Sequence, residues 1–156
     1  TDIIACPGGD YCSLANAKSI PIAAAIAQRF DDIDSQHDIG DIELNISGCI
    51  NACGHHHVGH IGVLGVDKDG AEWYQVSIGG AQGNEAALGK IIGPSFSAPQ
   101  MPEVVQRLLD VYLRERVEGE RFLDVAQRLG IAPFKEHVYA TPIPTGALAV
   151  GEDQYA

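Results

Sequence analysis

Apolar and polar residues alternate strictly along residues 41–47, where Ile42, Leu44 and Ile46 fall on one face. This period of two predicts a β-strand with one face buried and the other exposed. A shorter apolar run at residues 2–5 predicts another strand earlier in the chain. Both predicted strands lead into loops that contain cysteine, so they would position whatever the cysteines bind.

Two apolar runs, at residues 60–66 and 72–80, flank the sequence DKDG. Asp-Gly between two such runs is a strong hairpin signal, because both residues tolerate the positive φ that a tight hairpin turn requires. The sequence therefore predicts a β-hairpin with Asp69 and Gly70 at its turn. The following stretch, residues 79–96, is rich in glycine and has no period, so we expect irregular structure there.

A helical pattern begins at Ser13 and is interrupted near the sequence SIP. Ser19 suits the N-cap of a new helix, and Pro21 suits its first turn, where a missing N–H is harmless. We predict a short helix from Ser13 and a second helix that runs to about Phe30. The polar residues that follow predict a loop.

Two helices are predicted near the C-terminus. Residues 101–117 have the apolar spacing of an amphipathic helix, with Pro102 near its first turn, and residues 118–130 predict a helix that ends at Gly130. From residue 140 the chain has prolines and glycines without a period, which predicts an extended or disordered tail. The apolar positions of the helix predicted at residues 101–117 are Val104, Val105, Leu108, Leu109, Tyr112 and Leu113.

These elements predict an α+β fold, in which a small mixed β-sheet is flanked by helices and followed by the C-terminal helices. We assign a single domain to residues 1–139 and a tail to residues 140–156. The chain has 156 residues, of which 46% are hydrophobic, and this is enough for a sizeable core. No apolar run approaches the roughly 18–20 residues that span a bilayer, and no signal-peptide pattern is visible. We therefore expect a cytoplasmic protein that does not bind membranes.

The net charge of −11 excludes a typical nucleic-acid binder, which would carry a basic stripe. Six of the ten basic residues lie between Arg107 and Lys135. Few cations are therefore left elsewhere to bind an anionic ligand. The chain also opens without Met, on what resembles the end of a strand, which predicts a piece of a larger protein.

Four cysteines fall in two pairs, Cys6 with Cys12 and Cys49 with Cys53. Nothing indicates secretion, and a reducing cytosol disfavours disulfides. Structural zinc sites usually have about two to four residues between paired cysteines, whereas the first pair here has five. Four thiolates from two loops suit an iron–sulfur cube, whose iron corners point in different directions. The spacing favours such a cluster over zinc and leaves electron transfer and a structural role both open.

The loops themselves support this interpretation. The sequences PGGD and INACG consist mostly of small residues, and they offer backbone N–H groups close to the thiolates. A helix that began just after Cys12 would add its positive end to the site.

The sequence ACPGGDYCSLA followed by ISGCINACG resembles the paired cysteine motifs of the sirohaem-dependent sulfite and nitrite reductases. That family's second motif is G-C-x-N-x-C-G. The resemblance extends over residues 1–135, through VSIGG and then VYLRERVEGERFLDVAQRLG, in which Gly119, Glu120, Phe122 and Asp124 match a further motif. The matching positions of the second cysteine motif are Gly48, Cys49, Asn51, Cys53 and Gly54.

The resemblance implies a set of cofactors and ligands. Cys6, Cys12, Cys49 and Cys53 would bind a 4Fe-4S cluster, and Cys53 would also ligate the iron of sirohaem, as a bridge between the two cofactors. The implied activity is the six-electron reduction of sulfite to sulfide or of nitrite to ammonia. The cofactors would carry the redox chemistry, and the protein would set their positions and electrostatics.

Other residues have weaker signals. Asn51 either shapes the turn between two cysteines or, as the resemblance implies, lies against sirohaem. Lys90 is a candidate contact to a sirohaem carboxylate. Three consecutive histidines cannot face one metal from a regular helix or strand. A solvated surface, or contact with a neighbouring domain, is therefore the expected role of His55, His56, His57 and His60.

Sirohaem and its substrate are anionic, and both need arginine and lysine side chains around them. Before Arg107 the chain has four basic residues, which would not neutralise such a site. We therefore expect the partners to be the remaining N-terminal domains of the same reductase, a small anionic substrate, and an electron-donor protein or flavoprotein subunit. Two alternatives stay open: a stand-alone 4Fe-4S electron carrier, and a zinc-stabilised or metal-free interaction module.

Overall fold

Residues 1–144 are described by the structure, a computed structural model, and within them six strands form one mixed sheet accompanied by four α-helices. The strands are β1 (Asp2–Ala5), β2 (Glu43–Ser47), β3 (Ile61–Lys68), β4 (Ala71–Ile78), β5 (Lys90–Ile91) and β6 (Phe96–Ser97). The helices are α1 (Ile20–Asp34), α2 (Met101–Glu115), α3 (Phe122–Leu129) and α4 (Ala132–Tyr139). The predicted α+β class is confirmed.

The strands are ordered β1-β2-β3-β4-β5, and β6 also pairs with β4. The first three strands are parallel to one another, whereas β4 is antiparallel to β3, β5 and β6. Helix α1 makes the crossover between the parallel strands β1 and β2, as such a connection requires. The predicted hairpin is present, with φ values of 55° at Asp69 and 81° at Gly70.

One face of the sheet forms the hydrophobic core with the helices. The register places Leu44 beside Ile61, and Ile46 beside Val63, which in turn lies opposite Val76. All five side chains are fully buried, in one cluster with apolar residues of α1, α2, α3 and α4. The alternation in β2 therefore identifies the core face correctly.

The prediction that β2 is only half-buried is wrong. Asn45 and Ser47, on its other face, are also fully buried. The loop that returns from β2 to the parallel strand β3 lies over this face, and glycines allow it to approach closely. A Cβ at Gly62 would lie 2.1 Å from the carbonyl oxygen of His56, and one at Gly80 would lie 2.6 Å from that of Gly59.

The predicted helix from Ser13 is also wrong. Residues 13–18 form turns, because the N–H groups of Asn16 and Ala17 bond to the carbonyl of Gly48 instead of to their own segment. Helix α1 begins at Ile20 with Pro21 in its first turn, as predicted, but it continues to Asp34 rather than ending near Phe30. The additional turn buries Ile33 in the core.

Helix α2 follows the predicted pattern. Helix α3 ends before Gly130, whose φ is 72°, as predicted, but it begins at Phe122 rather than at residue 118. Helix α4 was not predicted. Irregular structure was expected throughout residues 79–96, and this is wrong at β5 and β6, which both pair with β4. Residues 140–144, the part of the predicted tail that the structure describes, lie against the start of α2. Ile143 is largely buried, and its carbonyl accepts a hydrogen bond from Gln100, the residue before α2. The rest of that tail lies outside the described residues, and the domain boundary at residue 139 stays a prediction.

Within residues 1–144, none of the helices has the length and apolar character needed to cross a membrane.

Candidate metal centre

Both cysteine-bearing loops begin at one edge of the sheet, because β1 and β2 are neighbouring parallel strands. Cys6 is the first residue after β1, and Cys49 is the second residue after β2. The N–H of Cys6 donates to the carbonyl of Ile46 at 3.1 Å, so the strand pairing extends to the first cysteine. Loops at the carboxyl ends of such strands are a frequent location of binding sites. Parallel pairing thus brings together two loops that are distant in the sequence.

Gly48 joins the two loops through its backbone. Its carbonyl accepts hydrogen bonds from the N–H groups of Asn16 and Ala17, at 2.8 and 3.1 Å. Its N–H donates to the sulfur of Cys6 at 3.1 Å. A Cβ at this position would lie 2.7 Å from the carbonyl oxygen of Ala17, so any other residue would require the backbone to shift. The second cysteine loop is therefore packed directly against the first.

The sulfur of Cys6 has a second polar neighbour, the hydroxyl of Ser19, at 3.4 Å. Ser19 is fully buried, and Cys6 is half-buried. Hydrogen bonds to a ligand sulfur stabilise its negative charge and tune the reduction potential of a cluster. Cys6 therefore has surroundings suited to a ligand thiolate.

Cys12 follows a tight turn and does not precede a helix. A 3₁₀ turn at Gly8–Asp10 comes before it, and the N–H of Cys12 donates to the carbonyl of Gly8 at 2.8 Å. The next residues form turns. The expectation that a helix end points at Cys12 is therefore wrong.

Tight turns also separate the second pair of cysteines. Cys49 is buried, whereas Cys53 is exposed. Ala52 has a φ of 57°, which is uncommon for a residue other than glycine, and its N–H donates to the carbonyl of Cys49 at 3.1 Å. Gly54 lies so close to β2 that a Cβ there would be 1.9 Å from the carbonyl oxygen of Ile46. The loop thus directs one thiol inward and leaves the other at the surface.

All four cysteines are free thiols. Within residues 1–144 no three side chains of histidine, cysteine, aspartate or glutamate are grouped as ligands of one metal ion. A 4Fe-4S cube is larger than one ion and takes a thiolate at each iron corner. Four thiols on two joined loops match the number of ligands that such a cube takes, and the N–H donor to Cys6 fits a cluster's negative charge.

The other predicted cofactor contacts lie in different places. Asn51 is exposed in the turn between the second pair of cysteines, near the candidate cluster ligands. Lys90 is exposed on β5, paired with Ile78 of β4. Two strands, β3 and β4, separate β5 from β2 in the sheet. The structure therefore places Asn51 beside the cysteines and does not bring Lys90 to them.

The histidines do not form a common ligand set. The rings of His56 and His57 pack edge to face, with their centroids 5.4 Å apart. The pKa of His56 is lowered by burial and, to a lesser degree, by His57. His60 is 7% exposed, and its Nδ1 accepts a hydrogen bond from the N–H of Glu43 at 3.1 Å. The sequence pattern missed this role, in which His60 fixes the start of β2.

Positive charge is scarce near the cysteines. Lys18 is the basic residue on the first loop, and it forms an ion pair with Asp10 at 3.5 Å. Apolar side chains are exposed there instead: Tyr11 and Leu14 on the first loop are 81% and 70% exposed, and Ile50 on the second is 79% exposed. This edge therefore offers thiols and apolar surface but almost no cations to an anionic ligand.

The chain is similar to several known proteins. A family model described as the nitrite and sulphite reductase 4Fe-4S domain matches residues 1–143. A sulfite reductase (ferredoxin) of Mycobacterium tuberculosis is 30% identical in an alignment 131 residues long, which covers 78% of this chain and 23% of that protein. An assimilatory ferredoxin-dependent nitrite reductase of Haloferax mediterranei is 26% identical in an alignment 147 residues long, which covers 91% of this chain and 25% of that protein. The chain thus spans about a quarter of the length of these curated relatives.

Two solved structures are similar. The Mycobacterium tuberculosis NirA protein superimposes with a TM-score of 0.68 at 29% identity, over 81% of this chain and 25% of that one. Dissimilatory sulfite reductase I superimposes with a TM-score of 0.72 over 99% of this chain and 55% of that one. At 14% identity the second likeness shows the fold alone.

Proposed function

Because the chain belongs to the nitrite and sulphite reductase 4Fe-4S domain family, we propose that it binds a 4Fe-4S cluster and serves as the cluster-bearing part of a sulfite or nitrite reductase. The ligands in this proposal are Cys6, Cys12, Cys49 and Cys53. The observation that carries it is the junction at Gly48, which packs one cysteine loop on the other and donates an N–H to the sulfur of Cys6 at 3.1 Å.

Cys53 is the residue proposed to reach a second cofactor, sirohaem. Its exposure supports this role, since the thiols of Cys6 and Cys12 are half-buried and that of Cys49 is buried. The exposed apolar side chains of Tyr11, Leu14 and Ile50, on the same two cysteine loops, suit a flat macrocycle better than open water. When bound, the two cofactors supply the electron transfer of a six-electron reduction of sulfite to sulfide or of nitrite to ammonia.

The chain's own residues have three roles in this proposal. The thiolates would hold the cluster at the carboxyl ends of β1 and β2, whose parallel pairing fixes the two loops relative to each other. The N–H of Gly48 offsets negative charge at Cys6. The loops also exclude water from Cys49, which lowers the local dielectric around that proposed ligand.

The cations needed for sirohaem and substrate are proposed to come from other parts of a longer reductase. Lys18, on the first cysteine loop, is already paired with Asp10, and each tetrapyrrole carboxylate without a cationic partner would forfeit roughly 1.5–3 kcal/mol. The 156-residue chain alone is therefore expected to bind sirohaem weakly and to have no reductase activity. An electron-donor protein or flavoprotein subunit would complete the system.

The test is metal and cofactor analysis of the chain after anaerobic loading with iron and sulfide, and of the corresponding longer reductase. Four irons with acid-labile sulfide in the chain, together with tetrapyrrole absorption in the longer protein, are the expected result. Iron and sulfide without tetrapyrrole in the longer protein would identify a simple electron carrier instead. Zinc in place of iron would identify an interaction module, and it would contradict the proposal.

A further inference from the structure

Ser19 occupies the N-cap position of α1, but its side chain makes no capping hydrogen bond. A serine at this position ordinarily accepts a hydrogen bond from the N–H of the second or third helical residue. The second helical residue here is Pro21, which has no N–H to donate. The hydroxyl of Ser19 is therefore directed elsewhere, although the residue is fully buried.

The neighbour of this hydroxyl is the sulfur of Cys6, at 3.4 Å. With the Gly48 N–H, that sulfur has two hydrogen-bond partners. Among the residues that the structure describes, the sulfurs of the other three cysteines have no such partner. Cys6 is thus distinguished from the other proposed ligands by its polar surroundings.

Both loops hold the hydroxyl in this position. A Cβ at Gly8 would lie 2.7 Å from the oxygen of Ser19, and one at Gly48 would lie 3.1 Å from it. The hydroxyl is therefore enclosed between the two cysteine loops and α1, away from water. A hydrogen bond in such surroundings is electrostatically stronger than one in solvent.

The direction of the hydrogen bond follows from the charge of the sulfur. A neutral thiol can donate or accept, but a thiolate that ligates iron can only accept. Once Cys6 is a ligand, the hydrogen of the Ser19 hydroxyl must therefore point at the sulfur. This donation stabilises the more reduced cluster, which carries one more negative charge.

We propose that Ser19 is a positioning residue for the cluster, whose hydroxyl donates to the sulfur of Cys6 and raises the cluster's reduction potential. This inference rests on the proposed 4Fe-4S site. It assigns Ser19 to the redox properties of the site rather than to the stability of α1.

The experiment is a redox titration of the cluster-loaded chain, followed by electron paramagnetic resonance, for the wild type and Ser19→Ala. At the potential that reduces half of the wild-type clusters, the ratio of reduced to oxidised cluster in Ser19→Ala is expected to fall about threefold to tenfold, as for the loss of one hydrogen bond. Ser13→Ala, which removes an exposed hydroxyl next to Cys12, is the matched control and should titrate like the wild type.

A second pair of variants separates the hydroxyl from the packing. Thr and Val have nearly the same shape, so Ser19→Thr and Ser19→Val share any effect of added volume and differ in the donor. The Thr variant should titrate close to the wild type, and the Val variant should shift in the same direction as Ser19→Ala. Equal potentials for Thr and Val, or a wild-type potential in a Ser19→Ala protein with four irons, would overturn the inference while leaving the cluster proposal intact. Failure of the wild-type chain to bind a four-iron cluster would instead remove the cluster proposal itself.

Discussion

The cysteine edge of the sheet and the helical half of the molecule are held together by different kinds of contact. At the cysteine edge, backbone hydrogen bonds to Gly48 and close approaches of glycines hold the loops, and Tyr11 and Ile50 remain exposed. In the helical half, apolar side chains of α2 are fully buried and the rings of Tyr112, Phe122 and Phe134 pack edge to face.

This difference separates stability from function. Burial of apolar side chains stabilises the helical half without any ligand. The cysteine loops bury little apolar surface, and a bound cluster would supply part of the free energy that orders them. We therefore expect substitutions in the two regions to affect different measurements.

The largest expected effect is on the cluster. Cys49→Ser replaces a buried sulfur by an oxygen of similar shape, and Cys6→Ser does the same at the residue that has two hydrogen-bond partners. Because hydroxyl oxygen is a poor ligand of iron–sulfur clusters, both variants should lose most of the four irons after anaerobic loading, as measured by iron and sulfide analysis. Their circular dichroism should stay close to that of the cluster-free wild type. Four irons in both variants would contradict the ligand assignment.

The next effect is confined to the helical half. Phe134 is fully buried against Phe122, with ring centroids 5.6 Å apart. Phe134→Ala should lower the free energy of unfolding by about 3–5 kcal/mol, because it removes apolar burial and leaves a cavity. Denaturant unfolding of cluster-free and cluster-loaded protein measures this, and the loss should be similar in both.

Tyr11→Ala is the matched control for this aromatic truncation, since Tyr11 is 81% exposed on a cysteine loop. It should change stability by less than about 0.5 kcal/mol. If Tyr11→Ala destabilised the cluster-free protein as much as Phe134→Ala does, the contrast between the two regions would be incorrect.

The sequence predicted those elements whose structure depends on residues close together in the chain. The hairpin follows from Asp69 and Gly70, and the start of α1 follows from Pro21 in its first turn. The cysteine loops are recognisable because their cysteines and glycines are close together in the chain. A periodic apolar face or a turn residue depends on its immediate neighbours, so these elements can be predicted without the rest of the fold.

The predictions from the sequence fail where residues that are distant in the chain determine the local structure. Residues 13–18 do not form a helix, and the N–H groups of Asn16 and Ala17 bond to Gly48, which belongs to the other cysteine loop. Asn45 is buried because the loop from β2 to β3 covers it, and its amide donates to the carbonyl of His55. Ser19 occupies the predicted N-cap position, but its hydroxyl makes no capping hydrogen bond and faces Cys6 instead. The Pro21 that follows it was a clue, since it removes one of the N–H groups that a cap would use.

A smaller effect is expected where the two loops meet. Gly48→Ala would place a Cβ 2.7 Å from the carbonyl oxygen of Ala17, so the backbone must shift. We expect a stability loss of about 1–3 kcal/mol together with weaker retention of iron during dilution or chelation. Gly9→Ala is the matched control in the same region, because its Cβ would meet its nearest neighbours at an ordinary 3.5 Å. Equal effects of both substitutions would show that close packing at Gly48 does not hold the loops together.

The smallest effect concerns pH and His60, at the end of the loop that carries Cys49 and Cys53. Its pKa is lowered from the ordinary value of 6.5, first by burial and then by Arg121, although Glu43, Asp41 and Asp124 partly oppose this. Below pH 6.5 the unfolded chain therefore binds more protons at this residue than the folded chain does. This contribution to stability is present above pH 6.5, and it is lost as the pH falls through the lowered pKa of the folded state.

Protonation of Nδ1 would also remove the acceptor for the N–H of Glu43, so acid should loosen the start of β2. His60→Asn supplies an oxygen that can accept the same hydrogen bond but does not titrate, and it should flatten part of the decline in stability between about pH 8 and pH 5. The lowered pKa of His56 acts in the same direction, so some decline should remain in this variant. Denaturant unfolding of the cluster-free chain across this range measures the effect, with His37→Asn, at an exposed histidine, as the matched control. An identical pH profile for the wild type and His60→Asn would show that His60 is not coupled to folding in this way.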